Sequence, residues 1–438
     1  MSSTMAADPT GGSPSIRSTE GAPAAHDGKS DRSRNLSWTI SLFGTAVGAG
    51  VLFLPINAGA QGMWPLIIGT LLIGPMTYFS HRALARFVCV SPRKGENITV
   101  VARDYFGDGV GKAIAILYFL AIYPIVLIYG VSITNTVDSL IVNQFHGPHI
   151  PRALLSFVLI AAMMAVMILG ERIMLAVTGF LVYPLIALLG IVTVYLIPTW
   201  RIGDFADMPS GGGWGFLLAV FLMIPVLVFA FNHSPAISQF SLAMQRAYGE
   251  KAAENASKVL RLTAILLVVF TMGFVWSCAL SLGRSGLAEA RAANLPVLSY
   301  LANIHDAPFM SYIGPFIAIA AIGSSFFGHY MGAAEGAQGI VEGFAPKQAA
   351  SLGRKKLGIG VAVFMFLTTW GAAIINPNVL SVIESLSGPV IAAILYIMPM
   401  IAIRKVPALA PYRGKLSNVF VVIAGTIAIA GIVFKLLS

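Results

Sequence analysis

The sequence predicts an all-α polytopic membrane protein with eleven transmembrane helices. Three observations carry that prediction. The 438-residue chain is 57% hydrophobic and only 11% charged, about half the charge of an average soluble protein. Apolar runs close to the ~20 residues that a bilayer demands recur along the whole length. The 28 Lys and Arg are divided very unevenly between loops on alternate sides, as in membrane proteins generally.

Each element follows from the apolar runs. They fall at about 38–60, 63–88, 112–143, 152–169, 173–198, 214–244, 256–282, 308–332, 357–376, 378–403 and 416–437. Segments 1 and 2 meet at Gln61-Gly62, and segments 9 and 10 are divided by Asn376-Pro377-Asn378. Residues 1–37, rich in Ser, Gly, Ala and Pro with mixed charge and no apolar core, read as a disordered cytoplasmic tail rather than a cleavable signal. With the N-terminus inside, 23 of the 28 cations lie on the cytoplasmic side. That split supports an odd number of spans and an outside C-terminus. It also accounts for the net charge of +10 without a nucleic-acid partner. Cys89 and Cys278 are far apart and sit in or beside apolar runs, so they read as buried thiols and not as a metal or redox pair.

Two segments carry unusual residues. FGTAVGAGVLFLP, 43–55, places Gly44, Gly48 and Gly50 in mid-span. Either Gly44-x-x-x-Gly48 is a seam for close helix packing, or the helix opens there. VLVFAFNHSPAISQF, 226–240, holds the polar cluster Asn232-His233-Ser234-Pro235 in mid-span, where proline breaks the hydrogen-bond ladder and polar groups are costly. Eleven spans divide as five, five and one, so segments 1 and 6 head two five-helix repeats, about 38–198 and 214–403, with an extra helix at 416–437. Interrupted helices at matching positions of two halves point to a central transport site. On that basis helices 1 and 6 are expected to be broken.

The strings SLFGTAVGAGVLFLPINAG (41–59), SHRALAR (80–86), IYGVSITNT (128–136), VFAFNHSPAISQF (228–240), SSFFGHYMGAAEG (324–336), NPNVLSVIESLSGP (376–389) and YRGKLSNVF (412–420) together resemble the hydroxy and aromatic amino acid permease family, most closely its serine/threonine:proton symporter branch. The resemblance runs from about residue 36 to the end. It implies the amino acid–polyamine–organocation superfamily, a LeuT-like pair of inverted repeats, a bacterial inner-membrane location, and import of a small amino acid without an enzymatic step. It implies no cofactor or resident metal and no obligate protein partner beyond the lipid bilayer.

An α-amino acid carries a carboxylate and an ammonium. Free N–H groups after a break in segment 1, at Val47, Gly48, Ala49 and Gly50, suit the carboxylate. The lack of a Cβ at Gly48 and Gly50 permits close approach. Free carbonyls near Ala46 and over 229–231, ending at Phe231, suit the ammonium. Asn232, His233 and Ser234 are candidates for a substrate hydroxyl, or local caps of a kinked helix. Tyr129, Ser132 and Thr136 share one helix face; Tyr129 lines the pathway or packs. Ser324 and Ser325 offer oxygens to Na⁺ or bond back to the preceding turn. Proton coupling needs a titratable group, for which His233, His329 and Glu384 are candidates. Asp138 and Glu335 are also available, Glu335 reading as the partner of a loop cation. Segment 5 has no lysine, where some proton-coupled members of the superfamily use one. H⁺ is the expected coupling ion, with Na⁺ as the alternative; tryptophan or tyrosine is the alternative substrate, given Phe229, Phe231, Phe326 and Phe327.

A membrane enzyme and a channel are the further alternatives, and each lacks its signature. No H-E-x-x-H occurs, and GDGVGK at 107–112 lacks phosphate-loop spacing, with Ala113 where the metal-binding hydroxyl belongs. No pore-loop motif marks a channel. The longest outside loop, about 283–307, is too short for a receptor domain.

Overall fold

The computed structural model describes residues 28–292, 296–298, 300–301, 308–377 and 388–437. These residues form helices joined by short turns, with no strand among them. In chain order the helices are α1 (Gly28–Ala46), α2 (Met63–Cys89), α3 (Ile98–Phe106), α4 (Asp108–Ser139), α5 (Arg152–Ile168), α6 (Glu171–Tyr195), α7 (Gly212–Ala230), α8 (Ser234–Tyr248), α9 (Ala252–Leu266), α10 (Gly273–Ala292), α11 (Pro308–Phe344), α12 (Pro346–Ile375), α13 (Gly388–Lys405) and α14 (Leu416–Leu437). A π turn at Leu267–Met272 makes α9 and α10 one continuous run. Among the described residues nine helices are long and apolar enough to cross a membrane, or ten when the bent pair 31–46 and 50–59 counts as one span. The chain is a multi-pass membrane protein. The expected tenth span begins at 378, and its first part lies outside the described residues.

Helix α1 starts at Gly28, ten residues ahead of the apolar run that marks its span. Tertiary contacts extend it. Arg34 pairs with Asp31 and stacks 4.8 Å over the Tyr248 ring. The Tyr248 hydroxyl donates to Asn35 Oδ1 at 2.9 Å. The end of α8 therefore holds a turn that propensity alone would leave frayed.

Helix α11 is the central post, with 83% of its apolar window buried against 22% for α12. Its partners are α1, α4, α6, α8 and α12. Glycines at four-residue spacing make this crowding feasible. A Cβ at Gly328 would lie 2.1 Å from Thr45 Oγ1 on α1; at Gly332, 2.7 Å from the Pro235 carbonyl on α8; at Gly336, 3.0 Å from Phe119 Cα on α4. Gly339, on the same helix, meets Thr99 of α3 at 2.4 Å. Four neighbours thus approach one helix to backbone contact, the geometry small residues permit in membranes.

The basic end is held by ion pairs, Arg103–Glu342 at 3.2 Å and Arg354–Glu96 at 2.8 Å. At the opposite end Gly283 turns with φ +66°, and Asp204 caps the turn by accepting from the N–H of Ser285 at 2.9 Å and of Arg284 at 3.2 Å. Partial burial alone would raise the Asp204 pKa. The Ser285 and Arg284 bonds outweigh it and hold the carboxyl below its ordinary value. This clasp is therefore present at neutral pH and is lost as pH falls through the depressed value.

Gly328→Ala should lower the detergent-phase melting temperature, by an overpacking cost of about 1–3 kcal/mol. Gly109→Ala, where a Cβ meets nothing within 4 Å, should leave it unchanged or raise it. Equal melting of the two variants would contradict the close α1–α11 crossing.

Candidate functional site

Both unusual stretches leave the α-helix. α1 ends at Ala46, and Gly48 is extended at φ −94°, ψ −169°. A 3₁₀ turn at Ala49–Leu52 and a π turn at Pro55–Gly59 follow, with the axis bent by 62°. Low helix propensity at Gly48 and Gly50 and the missing donor of Pro55 make this the weakest point of the run. α7 ends at Ala230, and α8 restarts at Ser234 with Pro235 in its first turn, where a missing N–H costs nothing.

The glycines of the first stretch do different things. A Cβ at Gly44 would meet Val182 Cγ2 at 2.5 Å and Ser324 Cβ at 2.9 Å; a Cβ at Gly48 would meet Tyr129 Oη at 2.4 Å. The packing seam therefore lies where α1 ends at Ala46 and Gly48 is extended. Gly50 is exposed, and a Cβ there meets nothing within 4 Å. The close approach expected of both Gly48 and Gly50 is thus found with protein atoms at Gly48, while Gly50 borders open space. The leading N–H groups of the turn starting at Ala49 have no carbonyl of their own turn to bond. Val47 is buried, and its N–H still closes on Phe43 O at 2.9 Å.

Around Gly48 lies a first cluster from α1, α4 and α11. Ser325 Oγ donates to Thr45 O at 2.6 Å. With that hydrogen committed, Tyr129 Oη is the donor in its 2.7 Å contact with Ser325 Oγ. His329 Nδ1 donates to Ser325 O at 2.9 Å, and its ring meets Tyr129 edge-on at 5.4 Å. Ser324 Oγ divides its hydrogen between Gly44 O and Ala321 O, both at 3.3 Å. Four of the residues singled out from sequence (Gly48, Tyr129, Ser325 and His329) are thereby brought together.

Phe231, Asn232, His233 and Ser234 form a second cluster, all buried, completed by a residue to which the sequence assigned no role. His81 of α2 stacks on His233 with ring centres 3.6 Å apart and planes within 13°. His81 Nδ1 donates to Thr77 O at 2.8 Å, leaving Nε2 to accept the His233 main-chain N–H at 3.1 Å. His233 Nδ1 donates to Phe231 O at 3.2 Å, and its buried Nε2 has no partner among the described residues. Asn232 Oδ1 accepts from Ser234 N at 3.0 Å, so the local cap weighed for Asn232 is present. The only signal for His81 was its polarity inside SHRALAR; no spacing linked it to a residue 152 positions away.

Several expectations are corrected. The carbonyls before the breaks are engaged: Ala46 O by Gly48 N at 3.0 Å, Phe229 O by Asn232 N at 3.2 Å, and Phe231 O by His233. Each retains one lone pair, since a carbonyl has two. Glu335 meets no loop cation; its Oε1 accepts from Gln239 Nε2 of α8. Asp138 faces exposed His149 at 3.3 Å and lies outside both clusters. Glu384 is outside the described residues.

The model of the tryptophan/tyrosine permease family matches residues 33–436. The serine transporter SdaC of Escherichia coli K12 is 47% identical over 411 residues, covering 93% of this chain and 96% of that protein. The threonine/serine transporter TdcC of Escherichia fergusonii is 39% identical over 424 residues, covering 92% and 96%. Among solved structures, Mhp1, a nucleobase-cation-symport-1 family transporter in a closed conformation with bromovinylhydantoin bound, aligns with a TM-score of 0.53 at 14% identity. The alignment covers 91% of this chain and 92% of that one, and shows a shared LeuT-like fold.

Gly48→Ala should destabilise the protein by about 1–3 kcal/mol through overpacking against Tyr129. Tyr129→Phe removes the obstructing oxygen, so the double variant should melt above Gly48→Ala alone. A purely additive double-mutant cycle would contradict the contact. His81→Leu should cost about 1–3 kcal/mol, because it strands the buried His233 N–H.

Proposed function

The chain belongs to the tryptophan/tyrosine permease family, and on that premise we propose that it imports L-serine or L-threonine together with protons, by alternating access around the breaks after Ala46 and Ala230. As a permease it is not an enzyme. The observation that carries the substrate is the likeness to transporters named for serine and threonine over more than nine-tenths of the chain.

The architecture in this proposal has eleven crossings. Arg152–Ile168, 17 residues long and near the ~20 that a bilayer requires, supplies the eleventh beside the bent pair and the nine long helices. Repeats at 38–198 and 214–403 and the extra helix at 416–437 follow, after a cytoplasmic tail. The cation-rich loops face the cytoplasm of a bacterial inner membrane.

In the site, the substrate carboxylate meets the leading N–H groups of the turn that opens at Ala49, beside the open space at Gly50. The free lone pairs of Ala46 O and Phe231 O face the ammonium. The second cluster, Asn232, His233 and Ser234, surrounds the side chain. The 2.6 Å hydrogen bond from Ser325 to Thr45 O favours protons over Na⁺. A cation coordinated by both oxygens would have to part them and take the place of that hydrogen. His329 in the first cluster and His233, with His81 stacked on it, in the second are the imidazoles available for the proton.

Proteoliposomes given an inward proton gradient should accumulate labelled L-serine severalfold over de-energised controls, and an inward sodium gradient alone should not. Accumulation driven only by sodium would move coupling to Ser324 and Ser325. Transport of tryptophan in place of serine would overturn the substrate.

A further inference from the structure

Glu335 lies on α11 six residues beyond His329, about 9 Å along the axis, and is 4% exposed. One carboxyl oxygen, Oε1, accepts from Gln239 Nε2 of α8 at 2.5 Å. The other, Oε2, is buried and has no hydrogen-bond partner among the described residues. Ser238 of α8 also faces the carboxyl. Tyr118 of α4 stands beside it and gives its hydroxyl to Pro235 O at 3.3 Å. The walls are tight on both sides, since Gly332 and Gly336 bring Pro235 and Phe119 to backbone contact.

No cation compensates this carboxyl among the described residues. Farther along α11, Glu342 is paired with Arg103 of α3. Lys112 of α4 is paired with Asp108. On the other side His329 is bonded to Ser325. A buried carboxylate that only the neutral groups of Gln239 and Ser238 face is far costlier than the neutral acid. A fastener between α8 and α11 would need no acid at all, because glutamine would bond Gln239 as well.

The position of the carboxyl is mechanical as well as chemical. α8 is tied to the α2–α3 region: Ser238 Oγ accepts from Ile98 N at 3.0 Å, Gln245 Nε2 donates to Val88 O at 2.9 Å, and Gly95 N donates to Gln245 Oε1 at 3.0 Å. His81 joins α2 to the start of α8. Glu335 therefore sits on the seam between an α2–α3–α8 block and the central post.

We propose that Glu335 is a proton-binding site of the transport cycle. It holds H⁺ as a neutral carboxylic acid while α8 is packed on α11. When the block parts from the post at the basic end, water enters and takes the proton, leaving a carboxylate and a hydronium ion. This inference rests on the proton-coupled reading above.

The test uses the full-length protein in liposomes containing a pH-sensitive dye. Glu335→Gln should keep serine–serine exchange within about twofold of wild type, because the site then mimics the neutral acid throughout. Serine-induced acidification of the lumen should vanish, and gradient-driven accumulation should fall at least tenfold. Acidification and accumulation at wild-type levels in Glu335→Gln would overturn the proposal. Should Glu335→Gln fail to assemble, Glu335→Asp decides: its acidification should respond to external pH with a displaced midpoint, and an unchanged midpoint overturns the proposal. A wild-type protein that exchanges serine but moves no protons overturns the proton-coupled reading and this site together. A wild-type protein that exchanges only tryptophan overturns the substrate alone, and the acidification comparison with tryptophan then judges Glu335.

Discussion

The structure depends on how closely other helices can approach α11. Lipid offers no hydrophobic drive for helices to associate with one another, so contact must come from shape and hydrogen bonds. Gly328, Gly332 and Gly336 present three successive steps of bare backbone, on which Thr45, Pro235 and Phe119 rest. Those three residues belong to α1, α8 and α4, two of which border the breaks. The glycine steps thus set where the opened backbone of both breaks lies relative to one central helix. One added methyl group at any step would have to move a neighbouring helix.

Opening a helix within a membrane exposes donors and acceptors that lipid cannot satisfy. Here other helices supply most of the missing partners. Ser325 reaches across to Thr45 O, His81 to the main chain of His233, and Asn232 folds back on Ser234. Polar side chains that sequence marks as candidates for a ligand therefore also support the backbone. The two roles are compatible: a carbonyl or hydroxyl engaged once still has a lone pair to offer. What stands open is the space beside Gly50.

The histidines have the bonding pattern of neutral rings. His81 accepts at Nε2 and donates at Nδ1, and His233 lies flat upon it. A proton added to His81 Nε2 would set two donors against each other. Like charges on both rings would repel at 3.6 Å. Glu335 complements this pair about one turn farther along α8, as an acid whose Oε1 faces a neutral amide. The first half of α8 is consequently flanked by groups whose bonding changes with a single proton.

By itself the sequence determined the helical class, the membrane and the positions of most apolar helices. Each of these is written in local composition: apolar run length, cation distribution, and glycine or proline in mid-span. The sequence also indicated Tyr129, Ser325 and His329, because polar groups in a span are costly unless placed for a reason. Only the tertiary structure decided their partners. It put Tyr129 against Gly48, gave Glu335 a glutamine in place of a loop cation, brought His81 to His233, and lengthened α1 by docking it on Tyr248. These outcomes depend on which helix faces cross, over sequence separations such as the 152 residues between His81 and His233. Periodicity along one strand of sequence carries no information about that, whereas the stripe of glycines on α11 acquires meaning only once the helices that rest on it are in place.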